Sequence, residues 1–451
     1  MKEKTMNMTT GNPVRLLLTF ALPMLVGNIF QQFYNLVDSI IVGKFVGANA
    51  LAAVGASGSV TFMFFALIWG ISGGAGVITA QCFGGGNEDR VKRSIANAAY
   101  LMVSSAVLIS GIAFFLAEPV LVLMKTPAEV LYDAKAYMQI QCVGVILVAG
   151  YNFAASMVTA LGDSRTPLYF LIFSCVLNIG LDLLFVCVFD MGVLGAAVAT
   201  AMAEFIAGIG CIYYAFRYNP YFKLAKQHLQ PDKAMLWGAI RIGIPLALQN
   251  SLIAVSCAAL QSVVNSFGAI AVAAFTATGR VEQLLHQPYA SISAAMSTYS
   301  GQNLGAGKKD RLLDGYRKML VVMTGFSVVM WLVMQVGGGW IVSVFVDDPE
   351  VIELGKTAMR ITSWFYIPLG FINVVRGMLN GVGDAAFALI NGIVEVFGRI
   401  LIPLGLLLIP GMGVWSVWWA TGLTWLVSAF FCMLRYFSWK KKVFGGKDGK
   451  S

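Results

Sequence analysis

Charge is scarce in this chain. Only 12% of its 451 residues are Asp, Glu, Lys or Arg and 58% are hydrophobic, whereas soluble globular proteins carry roughly 25% charged residues. An ordinary soluble domain is excluded. Histidine is scarcer still, with His228 and His286 the only two, and no spacing of His, Cys, Asp or Glu reads as a metal site, so neither a cofactor nor an enzyme activity is expected. The seven cysteines lie scattered through apolar stretches without a CxxC pair, which suits packing rather than a disulfide framework. A phosphate-cradling GxxxxGK[ST] is missing too: the nearest stretch, GQNLGAGKK, has the wrong spacing and lacks the Ser or Thr. ATP-driven pumping by this chain is set aside on that ground. The polar opening MKEKTMNMTTGN is not followed by a small-residue cleavage site, so no removable targeting segment is expected.

What the chain has instead is apolar length. Charge-free runs such as Leu16 to Val37, Ser94 to Ala117 and Met319 to Val346 match the roughly 20 residues a transmembrane helix needs, and the 48 glycines suit close helix packing in lipid. Apolar runs and turn signals predict twelve spans, starting near residues 14, 51, 93, 131, 166, 192, 236, 269, 317, 353, 386 and 413, with hairpin breaks at Asn265-Ser266-Phe267-Gly268 and Pro410-Gly411-Met412-Gly413. The net charge of +9 is a topology signal rather than a nucleic-acid footprint. Of the 31 basic residues, only Lys44, Lys125, Lys135 and Lys356 fall in one set of alternate loops, and Arg280, Arg360, Arg376 and Arg399 fall inside spans. The rest occupy the opposite loops and both ends, which places both termini in the cytoplasm.

The two halves repeat each other. A shift of 221 positions lays Gln81, Gly84, Gly86, Asp89 and Arg90 on Gln302, Gly305, Gly307, Asp310 and Arg311, and Met157, Gly162 and Asp163 on Met378, Gly383 and Asp384. The same shift pairs Ala199 and Thr200 with Ala420 and Thr421, and one extra residue pairs Pro23 and Asn28 with Pro245 and Asn250. Six spans per half give both halves one orientation. The expected architecture is an all-α membrane protein of two six-helix lobes related by a pseudo-two-fold axis along the membrane normal: residues 1–216 as N-lobe, 217–235 as a cytoplasmic linker and 236–451 as C-lobe. Such duplicated lobes suit alternating access in a secondary transporter.

Particular residues carry a resemblance. ALPMLVGNIFQQFYNLVDSIIVGKFVGANALAAVG (Ala21 to Gly55), TAQCFGGGNEDRVKR, its repeat YSGQNLGAGKKDR, NIGLDLLFV (Asn178 to Val186) and RGMLNGVGD together resemble the MATE family of multidrug and toxic compound extrusion transporters, and within it the bacterial DinF-like and MepA-like branch. The resemblance implies a drug/cation antiporter of the bacterial plasma membrane, driven by protons or sodium, that exports small cationic drugs and whose N-lobe acids at Asp38 and Asp182 bind the coupling ion. The seventh-span acid of the NorM-like branch has no equivalent here: GIPLALQNSLIAV offers only Gln249 and Asn250. A lipid-linked saccharide flippase of the same superfamily is the nearest alternative, and an ion channel is the alternative from another class.

Five acids fall inside predicted spans: Asp38, Asp182, Glu204, Glu282 and Glu395. A carboxylate at a helix centre costs about 2.5 to 3.5 kcal/mol on insertion scales, so each needs a partner, water or a proton. Symmetry separates them. Asp38 maps onto Leu260 and Asp182 onto Pro403, whereas Asp163/Asp384 and Asp89/Asp310 occur in both halves beside turn glycines and read as loop locks. Asn178 stands one helical turn before Asp182, so the two share a face, and with Asp38 they could gather a proton or a sodium ion. Glu204 is a secondary proton candidate without a sequence partner. Glu282 and His286, four apart, could relay protons, while Glu395 and Arg399 at the same spacing suggest an ion pair within one helix. Pro23 breaks a backbone hydrogen bond in the span that carries Asp38 and is a candidate hinge. Aromatics such as Phe30, Phe33, Tyr34, Phe62, Phe64 and Phe65 could stack on planar cations but suit packing and lipid contact better.

Overall fold

A computed structural model describes residues 5–46, 48–123 and 128–444. Among them the chain forms thirteen α-helices: α1 (Pro13–Phe45), α2 (Ala48–Gly84), α3 (Glu88–Leu123), α4 (Ala128–Ala160), α5 (Arg165–Asp182), α6 (Gly192–Tyr218), α7 (Lys233–Asn265), α8 (Ala269–Gly305), α9 (Lys309–Ser343), α10 (Pro349–Ser363), α11 (Tyr366–Gly381), α12 (Ala385–Leu406) and α13 (Ser416–Phe444). Ten described helices are long and apolar enough to cross a membrane. The shortfall has two sources. The apolar character of α8 is diluted by Arg280, Glu282 and His286, and the expected tenth span is broken at Trp364-Phe365 into α10 and α11 of 15 and 16 residues. Counting α8, and α10 with α11 as one, restores twelve spans.

Local chemistry sets the ends. The expected breaks hold: α7 stops at Asn265 before Gly268 at φ +88°, and α12 stops at Leu406 before Gly411 at φ +84°. Two starts lie earlier than predicted. α3 begins at Glu88 rather than near 93 and α9 at Lys309 rather than near 317, because Glu88, Asp89 and Asp310 sit in first turns, where acids favour the helix dipole. Asp348 caps α10 by accepting from the Glu350 and Val351 N–H groups, with Pro349 at the first helical position. Asp163 locks the α4–α5 turn by accepting from the N–H groups of Arg165 and Thr166, each at 3.0 Å. Its repeat partner Asp384 locks the second turn differently, taking a two-pronged pair from Arg435 at 2.8 and 2.9 Å.

The chain divides into two compact units. The first is Met1–Gly11, Thr19–Leu248 and Gly301–Lys308; the second is Asn12–Leu18, Gln249–Ser300 and Lys309–Ser451. Inside the first, small residues let backbones touch: a Cβ on Gly74 of α2 would lie 2.3 Å from the Ala239 carbonyl oxygen of α7. A second close approach is reciprocal. A Cβ on Gly84 would meet the Gln302 backbone oxygen at 1.9 Å, and one on Gly305 would meet the Gln81 oxygen at the same distance, so the repeat exchanges the two contacts. The Gln302 side chain also ties the N-terminal segment in place, accepting from Met8 N at 2.9 Å and donating to the Ala160 carbonyl at 3.0 Å. The linker is anchored on α3, where His228 pairs with Asp89 at 2.9 Å and Asn97 accepts from Asp232 N at 2.7 Å.

Many large apolar side chains point outward, among them Phe115 at 80% exposure, Leu408 at 84% and Val336 at 86%. Water would penalise such a surface and lipid would not. Of the cysteines expected in the packing, Cys142, Cys175, Cys211 and Cys432 are buried, but Cys187 and Cys257 are exposed.

Candidate functional site

Asp38, Asn178 and Asp182 come together in the first unit. An apolar cluster within one or two helical turns of Asp38, Asp182 and Thr200 does the positioning: Ile41 and Val42 of α1, Val186 just after α5, and Val193 and Ala196 of α6, with Tyr137 of α4 packed against it. These residues share faces with Asp38, Asp182 and Thr200, so their packing turns the polar groups toward one another. Asp182 is fully buried and is the last residue of α5 before a π-helical turn at Leu183–Val188. Single π turns of this kind recur at functional sites because they re-aim side chains.

The hydrogen-bond pattern is specific. With the Asn178 amide turned to satisfy both ends, its NH2 donates to Asp182 Oδ2 at 2.9 Å, and its oxygen accepts from Thr200 N and Oγ1 at 3.2 Å each. The Asp38 and Asp182 carboxyls lie within hydrogen-bonding reach of each other. Each keeps a buried Oδ1 without a donor. A proton shared between the two carboxyls removes the repulsion that two bare carboxylates would suffer.

Glu204 is the next station. It lines two cavities. One of about 10 Å³ is bounded by Gln31, Tyr34, Ser174, Asn178, Thr200 and Glu204, and a larger one of about 50 Å³ by Gln31, Phe65, Trp69, Tyr151, Asn152, Ser174 and Glu204. The first has room for about one water and the second for a few. Drug-sized ligands fill roughly 300 to 1,000 Å³, so these spaces suit water or an ion and not a drug. Sequence reasoning passed over Thr200, although its conservation across the internal repeat as Thr421 was the available signal. Pro23 lies inside α1, fifteen residues before Asp38.

The acids of the second unit are arranged otherwise. The expected in-helix pair of Glu395 and Arg399 does not form. Arg376 of α11 instead donates to Glu395 Oε1 at 2.6 Å, and Asn391 donates to the same oxygen at 3.1 Å. Arg399 turns to α7, where its Nη1 donates to Ser256 Oγ at 3.2 Å and Cys257 Sγ at 2.6 Å. Helical spacing puts Glu395 and Arg399 on one face, but a neighbouring helix offers each a better partner. Glu282 and His286 diverge similarly. The Glu282 carboxyl meets Thr362 of α10, and the His286 ring packs on Trp425 of α13 with centroids 5.6 Å apart.

The two sites differ in charge balance. Asp38, Asp182 and Glu204 make three carboxyls, and the four arginines that fall within the predicted apolar runs, Arg280, Arg360, Arg376 and Arg399, all belong to the second half of the chain. The second site sets Arg376 and Arg399 against Glu282 and Glu395, two against two.

Comparison with known proteins agrees with this architecture. The MatE family model matches twice, over residues 23–184 and 245–404, and its two copies begin at the repeat partners Pro23 and Pro245. The chain is 30% identical over 443 residues, 97% of its length and 98% of the relative's, to a probable multidrug resistance protein of Bacillus subtilis, YpnP. It is 24% identical over 94% of its length and 93% of the relative's to the multidrug export protein MepA of Staphylococcus haemolyticus. Among solved structures, a MATE protein in complex with MaL6 superposes with a TM-score of 0.89 at 21% identity, covering 98% of this chain and 100% of that one. A MATE protein in a bent conformation gives 0.86 at 22%, covering 96% and 98%, and one in a straight conformation gives 0.88 at 22%, covering 98% and 99%. With its duplicated family match, its all-helical two-lobe fold and its multiple apolar spans, this chain is a multi-pass membrane protein that belongs to the MatE family.

Proposed function

We propose that the protein is a secondary active antiporter that exports multiple small cationic drugs in exchange for protons, with Asp38 and Asp182 as the proton carriers. The observation that carries this reading is the unbalanced acidity of the first site: three carboxyls within spans, two of them facing each other, with no arginine or lysine beside them among the described residues. Such a site is stable only when a cation is bound, and one proton is the smallest load that removes the repulsion between the facing carboxyls. Sodium would bind at the same Asp38, Asn178 and Asp182, but it prefers several converging oxygens. The Asn178 oxygen is already engaged by Thr200, which favours the proton. Relatives named as multidrug resistance and export proteins support drugs as the substrates.

In the cycle we infer, protons from outside neutralise Asp38 and Asp182, and Glu204 with its adjoining cavities passes protons through the same lobe. Pro23 leaves the Thr19 carbonyl without its helical donor, so α1 can bend when the charge beside it is lost. Structurally similar MATE proteins are known in a bent and in a straight conformation. The lobes would be residues 1–216 and 236–451 with the linker 217–235 between them, both termini would face the cytoplasm of a bacterial cell, and access would alternate by rocking of the lobes. The direct test is Asp38→Asn, which keeps volume and hydrogen bonding but removes the titratable charge. At matched expression it should abolish gradient-driven dye efflux from cells, and efflux at the unmutated rate would refute the assignment.

A further inference from the structure

The repeat that pairs the two halves also pairs their polar sites. Shifted by 221 positions, Asn178 falls on Arg399, Ser174 on Glu395, Phe65 on His286 and Glu204 on Trp425; with the extra residue of the first helix, Tyr34 falls on Ser256. In the first unit these residues bound the two small cavities beside the carboxyls. In the second unit their counterparts meet directly: Arg399 donates to Ser256 at 3.2 Å, and His286 packs on Trp425. The equivalent residues therefore line two small cavities in one lobe and make direct polar and ring contacts in the other. At the centre of those contacts is a cation. Arg399 is 8% exposed and Glu395 is 4% exposed, Glu282 lies close enough to Arg399 for their charges to interact, and one oxygen of Glu282 and the Nε of Arg399 remain without partners. Meanwhile the acids that make the first site cation-hungry are gone from the second, where Asp38 has become Leu260 and Asp182 has become Pro403.

We propose that the second lobe retains a cation site whose resident ligand is the chain's own Arg399 guanidinium, tethered permanently where the first lobe takes up and releases its coupling ion. Arg399 thereby decides which lobe couples. With Arg376 it balances Glu282 and Glu395, so the second lobe has no charge deficit for an external ion to fill. Without the tether, the vacated space is matched in shape and charge to a guanidinium ion. This inference rests on the coupling role proposed for the first lobe, but its test reads binding and stability rather than export, so either can fail while the other stands.

The experiment is thermal unfolding of the purified full-length protein in detergent, with and without guanidinium chloride at about 20 mM, against sodium chloride and urea at the same concentration. Arg399→Ala should lower the unfolding midpoint by about 5 °C or more, as expected when buried carboxylates lose their counter-charge. Guanidinium should restore at least half of that loss, while sodium chloride and the neutral, similarly shaped urea restore none, and the unmutated protein should not respond. Absence of rescue, or equal rescue by urea, would overturn the proposal. A second comparison covers the case in which Arg399→Ala does not fold. Arg399→Met combined with Glu282→Gln restores the charge balance, so it should yield more folded protein and a higher midpoint than Arg399→Met alone. A double variant no better than the single one would likewise overturn it.

Discussion

Neutralising one buried acid in each site should move stability in opposite directions. Glu395 accepts from Arg376 at 2.6 Å with only 6% of its side chain exposed. Breaking a buried pair by removing one charge costs about 3 to 5 kcal/mol, because the other charge is stranded. Glu395→Gln keeps an acceptor for Arg376, so its cost should sit near the lower end, about 3 kcal/mol. Asp182 strands nothing. Its Oδ1 and that of Asp38 already lack donors, and an orphaned buried polar atom costs about 1 to 3 kcal/mol. In Asp182→Asn the new amide can donate to Asp38 while its oxygen still accepts from Asn178, so stability should hold or rise by about 1 kcal/mol. At roughly 2 °C per kcal/mol for a chain of this size, Glu395→Gln should melt about 6 °C lower and Asp182→Asn at the unmutated midpoint or slightly above it. A thiol-reactive fluorescent dye supplies the assay, since Cys142, Cys175, Cys211 and Cys432 are buried and react only on unfolding. A fall for Asp182→Asn as large as that for Glu395→Gln would refute the reasoning, because it would make Asp182 a structural partner rather than an unsatisfied carrier.

Other outcomes follow from the same structure. Glu204→Gln should slow export by about tenfold or more while leaving drug binding intact, as loss of a proton-transfer group does; separate measurements of efflux rate and dye binding would check it. Gly74→Ala should destabilise the protein by about 1 to 3 kcal/mol through overlap with the Ala239 carbonyl, whereas Gly111→Ala, with nothing within 4 Å of the new methyl, should be neutral or stabilising by up to about 1 kcal/mol; paired melting curves would show the contrast. Pro23→Ala should restore the hydrogen bond to the Thr19 carbonyl, leave the midpoint unchanged and reduce turnover, which an efflux time course would report.

Much of the fold was legible because membrane burial writes itself into long apolar runs and because the chain repeats. The hairpin breaks at Gly268 and Gly411, the twelve spans and the pairing of Pro23 with Pro245 all rest on local signals. The convergence of Asp38, Asn178 and Asp182 was also legible, since symmetry flagged the acids and helical spacing placed Asn178 beside Asp182. Cross-helix partners were not. Nothing in spacing says that Arg376, nineteen residues before Glu395, would displace Arg399 from it, because that choice depends on how α11 packs on α12. Nor does local pattern separate Glu282 from His286, whose side chains leave a shared face for Thr362 and Trp425. The break between α10 and α11 and the early starts of α3 and α9 escaped for a related reason: hydropathy marks where a helix is apolar, not where its polar ends begin or where it bends.

The central claim is that the first lobe runs on protons. Purified protein in liposomes, given separately imposed proton and sodium gradients and a fluorescent cationic drug, tests it most directly. An inward proton gradient without sodium should drive efflux, an inward sodium gradient at equal pH should give little, and Asp38→Asn should abolish the proton-driven flux. Efflux driven by sodium at equal pH, or proton-driven efflux undiminished in Asp38→Asn, would contradict it.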